Sequence, residues 1–240
     1  MNNDNLSYYQ NNGQGKVINN ETGLRTFFSK MYSYMGLALL VSGLTAYLTY
    51  SVFPSLMYAI ASSTVVMLIV VAIEIGLVVM INTKAMRSAV SALPLLVLFS
   101  VVNGLTLSVI FARYTNASLL GAFVGTAAIF VAMSAYGRVT KKSMNGLGSH
   151  LFGLLIGLLV ASVVNIFLQN SVVTLFLSWA SVVIFSLLSM YDTNKMKQLY
   201  LAHGTQANMT GLAVSGALNL YLDFVNIFLS LLQIFGGSRD

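Results

Sequence analysis

Apolar residues dominate the chain in seven long runs, at 31–50, 55–81, 89–111, 118–136, 151–168, 172–191 and 211–234. Each approaches or exceeds the about 20 residues that a helix needs to cross a bilayer. Short polar or basic segments separate them. The pattern predicts an all-α, polytopic membrane bundle of seven helices. The narrowest separation is Gln169, Asn170 and Ser171, between the fifth and sixth runs. An amphipathic extension over 193–200 continues the sixth helix beyond the membrane face. Pro54 reads as a turn, and Pro94 falls near the first turn of the third helix, where its missing N–H costs least. Two GxxxG pairs, Gly121 with Gly125 and Gly153 with Gly157, offer close helix approach.

Composition agrees with that pattern. Hydrophobic residues make up 57% of the chain and charged residues only 8%, against roughly a quarter charged in a soluble domain. The net charge of +6 does not indicate nucleic acid, because the basic residues sit in short loops and not on one face. They orient the chain instead. With the N-terminus cytoplasmic, Lys16, Arg25, Lys30, Lys84, Arg87, Arg138, Lys141, Lys142, Lys195 and Lys197 lie inside, and only Arg113 and Arg239 outside. That is a strong positive-inside bias. Residues 1–24, rich in Asn, Gln and Gly, read as a disordered cytoplasmic tail ahead of a transmembrane domain over 25–240. They lack the regions of a signal peptide. The chain has no cysteine, which excludes disulfides and thiolate metal sites. No nucleotide-binding, zinc-protease or EF-hand sequence is present. His150 and His203 sit at the inner membrane edge without metal-ligand spacing. The expected setting is a cell membrane, that of a bacterium.

The chemistry narrows to a few polar residues within the apolar runs. Of six acids, Asp4, Glu21 and Asp240 are terminal. Glu74, Asp192 and Asp223 are intramembrane or at its edge, where an ionised carboxylate costs a few kcal/mol or more. If the chain reverses at 207–208, Asp192 and Asp223 are equidistant from the turn. Two antiparallel helices then carry them at similar depth. Asn219 and Asn226 stand four residues before and three after Asp223, sharing its helix face. Such a polar stripe is unsuited to lipid and predicts that the seventh helix is central. Asn103 and Asn165 are further polar residues inside helices, read as interhelical hydrogen-bonding groups.

Two of these motifs carry a family resemblance. SMYDTNKM around Asp192, followed by GALNLYLDFVNIFLSLLQIFG around Asp223, resembles the C-terminal signature of the Bax inhibitor-1 (TMBIM, transmembrane Bax inhibitor motif) family, bacterial type. The resemblance implies a pH-sensitive Ca²⁺ leak centred on Asp192 and Asp223. It also implies a basic latch from the second helix onto the aspartate of the sixth. Either Lys84 or Arg87 could serve, with Glu74 on the same helix, and INTKAMRSA does not align cleanly with that arrangement. Family members are described as suppressors of cell death or stress, and a bacterial relative as a modulator of a membrane-bound ATP-dependent protease.

Three functions follow. The first is a leak channel or slow carrier for Ca²⁺ or another cation, gated by the aspartate pair. Ca²⁺ takes six to eight oxygens, so two carboxylates make a weak site, with the ion as cargo and no cofactor. The second is a regulatory membrane protein acting through other membrane proteins without transport. The remote third is an intramembrane aspartyl protease. Tyr191-Asp192 resembles the YD of that class, but LYL precedes Asp223 where the class has GxG, and no PAL follows. The expectation is a non-enzymatic protein.

Overall fold

A computed structural model describes residues 4–85, 89–140, 144–203 and 209–236. The described chain is all-α: α1 (Asp4–Val52), α2 (Pro54–Ser62), α3 (Thr64–Ala85), α4 (Ala89–Arg113), α5 (Asn116–Val139), α6 (Asn145–Leu168), α7 (Ser171–His203) and α8 (Met209–Phe235). Seven helices are long and apolar enough to cross a membrane, and α2 is the short addition. The protein is a multi-pass membrane protein.

The second apolar run is not one helix. It divides at Ser63 into α2 and α3, because the Ser63 hydroxyl accepts from the Val66 amide at 3.3 Å and caps α3. Pro54, a turn residue by sequence, opens α2 at its first position. α1 runs back to Asp4, so helix continues where composition predicts a tail.

The tight α6–α7 turn is built by Asn165. Its side chain accepts from the Asn170 amide at 3.3 Å and donates to the Thr174 hydroxyl at 2.7 Å. Gln169 takes a left-handed conformation there (φ 50°, ψ 36°). Asn170 caps α7 through the Val172 and Val173 amides, at 2.9 and 3.2 Å. At 33 residues, α7 is about 50 Å long at 1.5 Å per residue, which carries it past a hydrocarbon core of about 30 Å.

α8 is the axis of the bundle. Of its most apolar stretch, 56% of residues are buried, against 11% to 28% in the other six spans. α1, α3, α4, α5 and α7 pack directly on it, and α6 packs on α7. Small residues permit this. A Cβ on Gly211 would meet the Ala85 carbonyl of α3, and one on Gly216 would meet Met31 of α1 and Met196 of α7. Gly137 of α5 lies in the same way against the Met190 backbone of α7. The GxxxG pairs do little of this work: Gly121, Gly153 and Gly157 face open space, and only Gly125 touches α8, at Leu231. Their spacing permits close approach without supplying a partner.

Candidate functional site: a polar seam between α7 and α8

Burying α8 on all sides forces its polar residues against other helices. Ser215, Asn219, Asp223, Asn226, Ser230 and Gln233 recur every three or four residues and form one stripe. Ser178, Ser181, Ser189 and Asp192 form a matching stripe on α7. The two meet in a seam. At its outer end Ser178 donates to the Gln233 carbonyl oxygen at 2.5 Å, and Ser230 donates to Ser181 at 2.7 Å. From Ser215 to Gln233 the stripe covers about 27 Å, nearly the thickness of the hydrocarbon core.

Asp223 lies midway along it, 4% exposed. Its Oδ2 finds no hydrogen-bond donor among the described residues. Ser189 and Asp192 of α7 flank the carboxyl, and Asp192 is near enough for its charge to act on Asp223. Asp192 and Asp223 thus face the same seam, while the reversal at 207–208 lies outside the described residues. Asp192 itself is half-buried, close to the inner end of the span. The positive charge acting on it is that of Lys195, one turn further along α7. Lys195 also lies 5.8 Å over the Tyr191 ring.

Around Asp192 the structure is tied tightly. The Tyr32 and Ser134 hydroxyls bond at 2.6 Å, and Ser134 bonds Thr193 at 2.9 Å, joining α1, α5 and α7. Asn194 donates to the Gly137 carbonyl at 3.1 Å. Lys197 donates to the carbonyls of Arg138 and Thr140, at 2.8 and 3.2 Å, which satisfies the end of α5.

The remaining candidates fall elsewhere. Lys84 is exposed at the end of α3 and makes no ion pair among the described residues. Arg87 lies outside them. Glu74 points at α4, where its Oε1 accepts from Asn103 at 3.2 Å and Thr106 at 3.0 Å. Asn103 in turn accepts from the Tyr221 hydroxyl at 2.7 Å. This chain ends on α8 two residues from Asp223. Asn219 is half-buried in the stripe. Asn226 donates to the Leu222 carbonyl at 2.8 Å, one turn back along its own helix. Asn82 of α3 accepts from Ser215 at 2.6 Å.

The sequence reading found the acids and Asn219 and Asn226 but missed Tyr221, Lys195 and the serines. The spacing of the serines was the available signal, since they continue the Asp192 and Asp223 stripes at helical intervals. Among the described residues, no three Asp, Glu, His or Cys side chains cluster as metal ligands. Asp192 and Asp223 are the acids of the seam among the described residues.

Comparison with known proteins shows the family. The family described as inhibitor of apoptosis-promoting Bax1 matches residues 24–240. The chain belongs to the Bax inhibitor family. The match covers all seven spans, so the resemblance of the two aspartate motifs extends over nearly the whole chain. An uncharacterized membrane protein of Streptococcus pyogenes serotype M1 is 37% identical over 219 residues, covering 91% of this chain and 95% of that protein. The inner membrane protein YbhL of Escherichia coli K12 is 35% identical over 226 residues, 93% and 96% of the two chains. The uncharacterized protein YrjE of Lactococcus lactis is 38% identical over 223 residues, 91% and 94%. These relatives each match more than nine tenths of the chain, and two of the three are named as membrane proteins.

Proposed function

We propose that this Bax inhibitor family protein is a pH-sensitive cation leak, with Ca²⁺ as the carried ion, gated at the Asp192–Asp223 pair. The observation that carries the reading is the buried Asp223 Oδ2, without a donor and with a second acid beside it. Two ionised carboxylates offer only acceptors to each other. A proton or a cation between them resolves the conflict, and the two compete for the same oxygens. That competition links cation passage to pH.

Like charges in a poorly hydrated site do not both ionise cheaply, so the pair shares one proton and carries a single negative charge near neutrality. This charge holds a cation at the inner end and keeps it closed. Among the described residues the charge of Lys195 acts on Asp192, and Lys84 or Arg87 at the end of the second span is the latch that the family resemblance suggests. Acid adds the second proton, the attraction is lost, and the inner end opens. Leak therefore rises as pH falls. At very low pH the neutral pair binds Ca²⁺ less well and flux declines again. Two carboxylates give at most four of the oxygens that Ca²⁺ prefers; Asn219, Asn226 and water complete a weak site, suited to a leak. Nothing in this mechanism is enzymatic.

Reconstitution in liposomes with an internal Ca²⁺ dye tests the reading. Dye signal should climb as pH is lowered from about 8 to 6, the range open to a coupled carboxyl pair. A silent dye at every pH would remove the leak. It would leave the regulatory reading, in which exposed basic residues at the inner face such as Lys84 and Lys195 contact another membrane protein, for example an ATP-dependent membrane protease.

A further inference from the structure

The outer half of the seam is bonded between α7 and α8 but open on its α6 side. Between α6, α7 and α8 lies a cleft of about 750 Å³, far larger than the about 30 Å³ of one water. Its polar wall includes Asn165, Ser178, Ser181, Asn226, Ser230 and Gln233, and among the described residues no ionisable side chain lines it. Gln169 and Ser171 mark its mouth at the outer α6–α7 turn. The apolar part of the lining is leucine, isoleucine and Phe185, and a continuous polar wall at this depth draws water along that side of the cleft. Its deep end is formed by Asn226 and Phe185. Asn226 is three residues from Asp223 on the same face, about 4.5 Å along the axis. Asp223, whose Oδ2 finds no partner among the described residues, thus follows Asn226 along α8 on the inner side of the cleft lining.

We infer that this cleft is an aqueous vestibule through which a partly hydrated cation reaches Asp223 from the outer side, with the Asn226 amide oxygen as the ligand at its floor. The inference rests on the leak reading and adds the route and its side. Neutral oxygens replace part of a hydration shell without trapping the ion. The pull comes from the carboxylate pair beyond, and the low-dielectric walls direct its field along the cleft. Phe185 is the apolar partition between vestibule and carboxylates. The hydrogen bonds of Ser178 with Gln233 and of Ser181 with Ser230 hold the two walls in register.

The chain has no cysteine, so single-cysteine variants report without background. Ser230→Cys and Ser181→Cys, in proteoliposomes of known orientation, should react with membrane-impermeant thiosulfonates applied to the outer side. Val183→Cys, 57% exposed on the apolar face of α7, should react only with a permeant maleimide. Ser162→Cys on the α6 wall repeats the labelling should either seam variant fail to fold. A trimethylammonium adduct at position 230 should slow Ca²⁺ flux roughly tenfold, by charge repulsion near the path, and a sulfonate adduct should not. Labelling of positions 181 and 230 by the permeant reagent alone would mean a lipid-filled cleft and overturn the vestibule. Impermeant labelling with equal flux for both adducts would overturn the route. Flux through the unmodified protein separates the two ideas: its absence defeats the leak reading, whereas normal flux with an unlabelled or indifferent cleft defeats only the route.

Discussion

The inner and outer halves of the α7–α8 seam are built on opposite plans. The inner half carries the charge and is packed against glycine: Gly137 on the Met190 backbone, Gly211 on the Ala85 carbonyl, Gly216 on Met31 and Met196. The outer half carries hydroxyls and amides, with no ionisable side chain among the described residues, and borders a cleft whose apolar lining is leucine, isoleucine and Phe185. Burial cost explains the difference in part. A carboxylate pair in hydrocarbon must be shielded by closely fitted helices, whereas hydroxyls and amides tolerate water beside them. A barrier to ion passage is therefore expected at the inner end, where charge and close packing coincide.

The largest effects should come from disturbing that packing. Gly211→Val places a side chain into the Ala85 carbonyl, and backbone does not yield as a flexible side chain does. We expect a loss of about 3 kcal/mol, seen as a lowered unfolding temperature in detergent. An unchanged temperature would show that α3 is free to move away from α8.

The aspartates come next. Asp223→Asn should lower Ca²⁺ flux on the order of tenfold, because it removes the deeper charge on the path. Asp192→Asn should leave some leak but flatten its rise between about pH 8 and 6. If Asp192→Asn kept the wild-type pH dependence, the inner half would lose its gating role whatever the family resemblance implies.

Tyr221→Phe sharpens the contrast with the neighbouring polar chain. It removes the hydroxyl that reaches Asn103 and leaves that acceptor unpaired, a cost of about 1 kcal/mol or somewhat more. Thermal unfolding should register it while the pH profile of the leak stays in place. A displaced profile would join Glu74, Asn103 and Tyr221 to the gate. The smallest effect belongs to Gly153→Ala on the outward side of α6, where nothing lies within 4 Å. It should stabilise by about 0.5 kcal/mol. A clear destabilisation would mean that this face is covered by another molecule.

Much of the site was legible because membranes make polar residues conspicuous. Asp192, Asp223, Asn219 and Asn226 stand out in apolar runs, and their spacing alone places them on matching faces. Serines do not stand out in that way. They bond to their own helix as readily as to a neighbour, as Ser186 and Ser189 do, so Ser181 and Ser230 were not marked as partners. Lys195 was legible as the residue three after Asp192, yet a latch from another helix drew attention to Lys84 and Arg87.

What the sequence determined by itself was which segments cross the membrane, which loops carry the positive charge, and which acids are too costly to be idle. Those are properties of single segments against a uniform solvent, and the bilayer enforces them one helix at a time. Which helices touch is a different matter. The idleness of Gly153 and Gly157 beside the close contacts of Gly137 and Gly211, the turn of Glu74 toward Asn103, and the open outer cleft all depend on how seven helices share one axis. Lipid is as apolar as leucine, so hydrophobicity does not select a partner within the membrane. Shape and hydrogen bonding do, and both exist only once the helices are assembled.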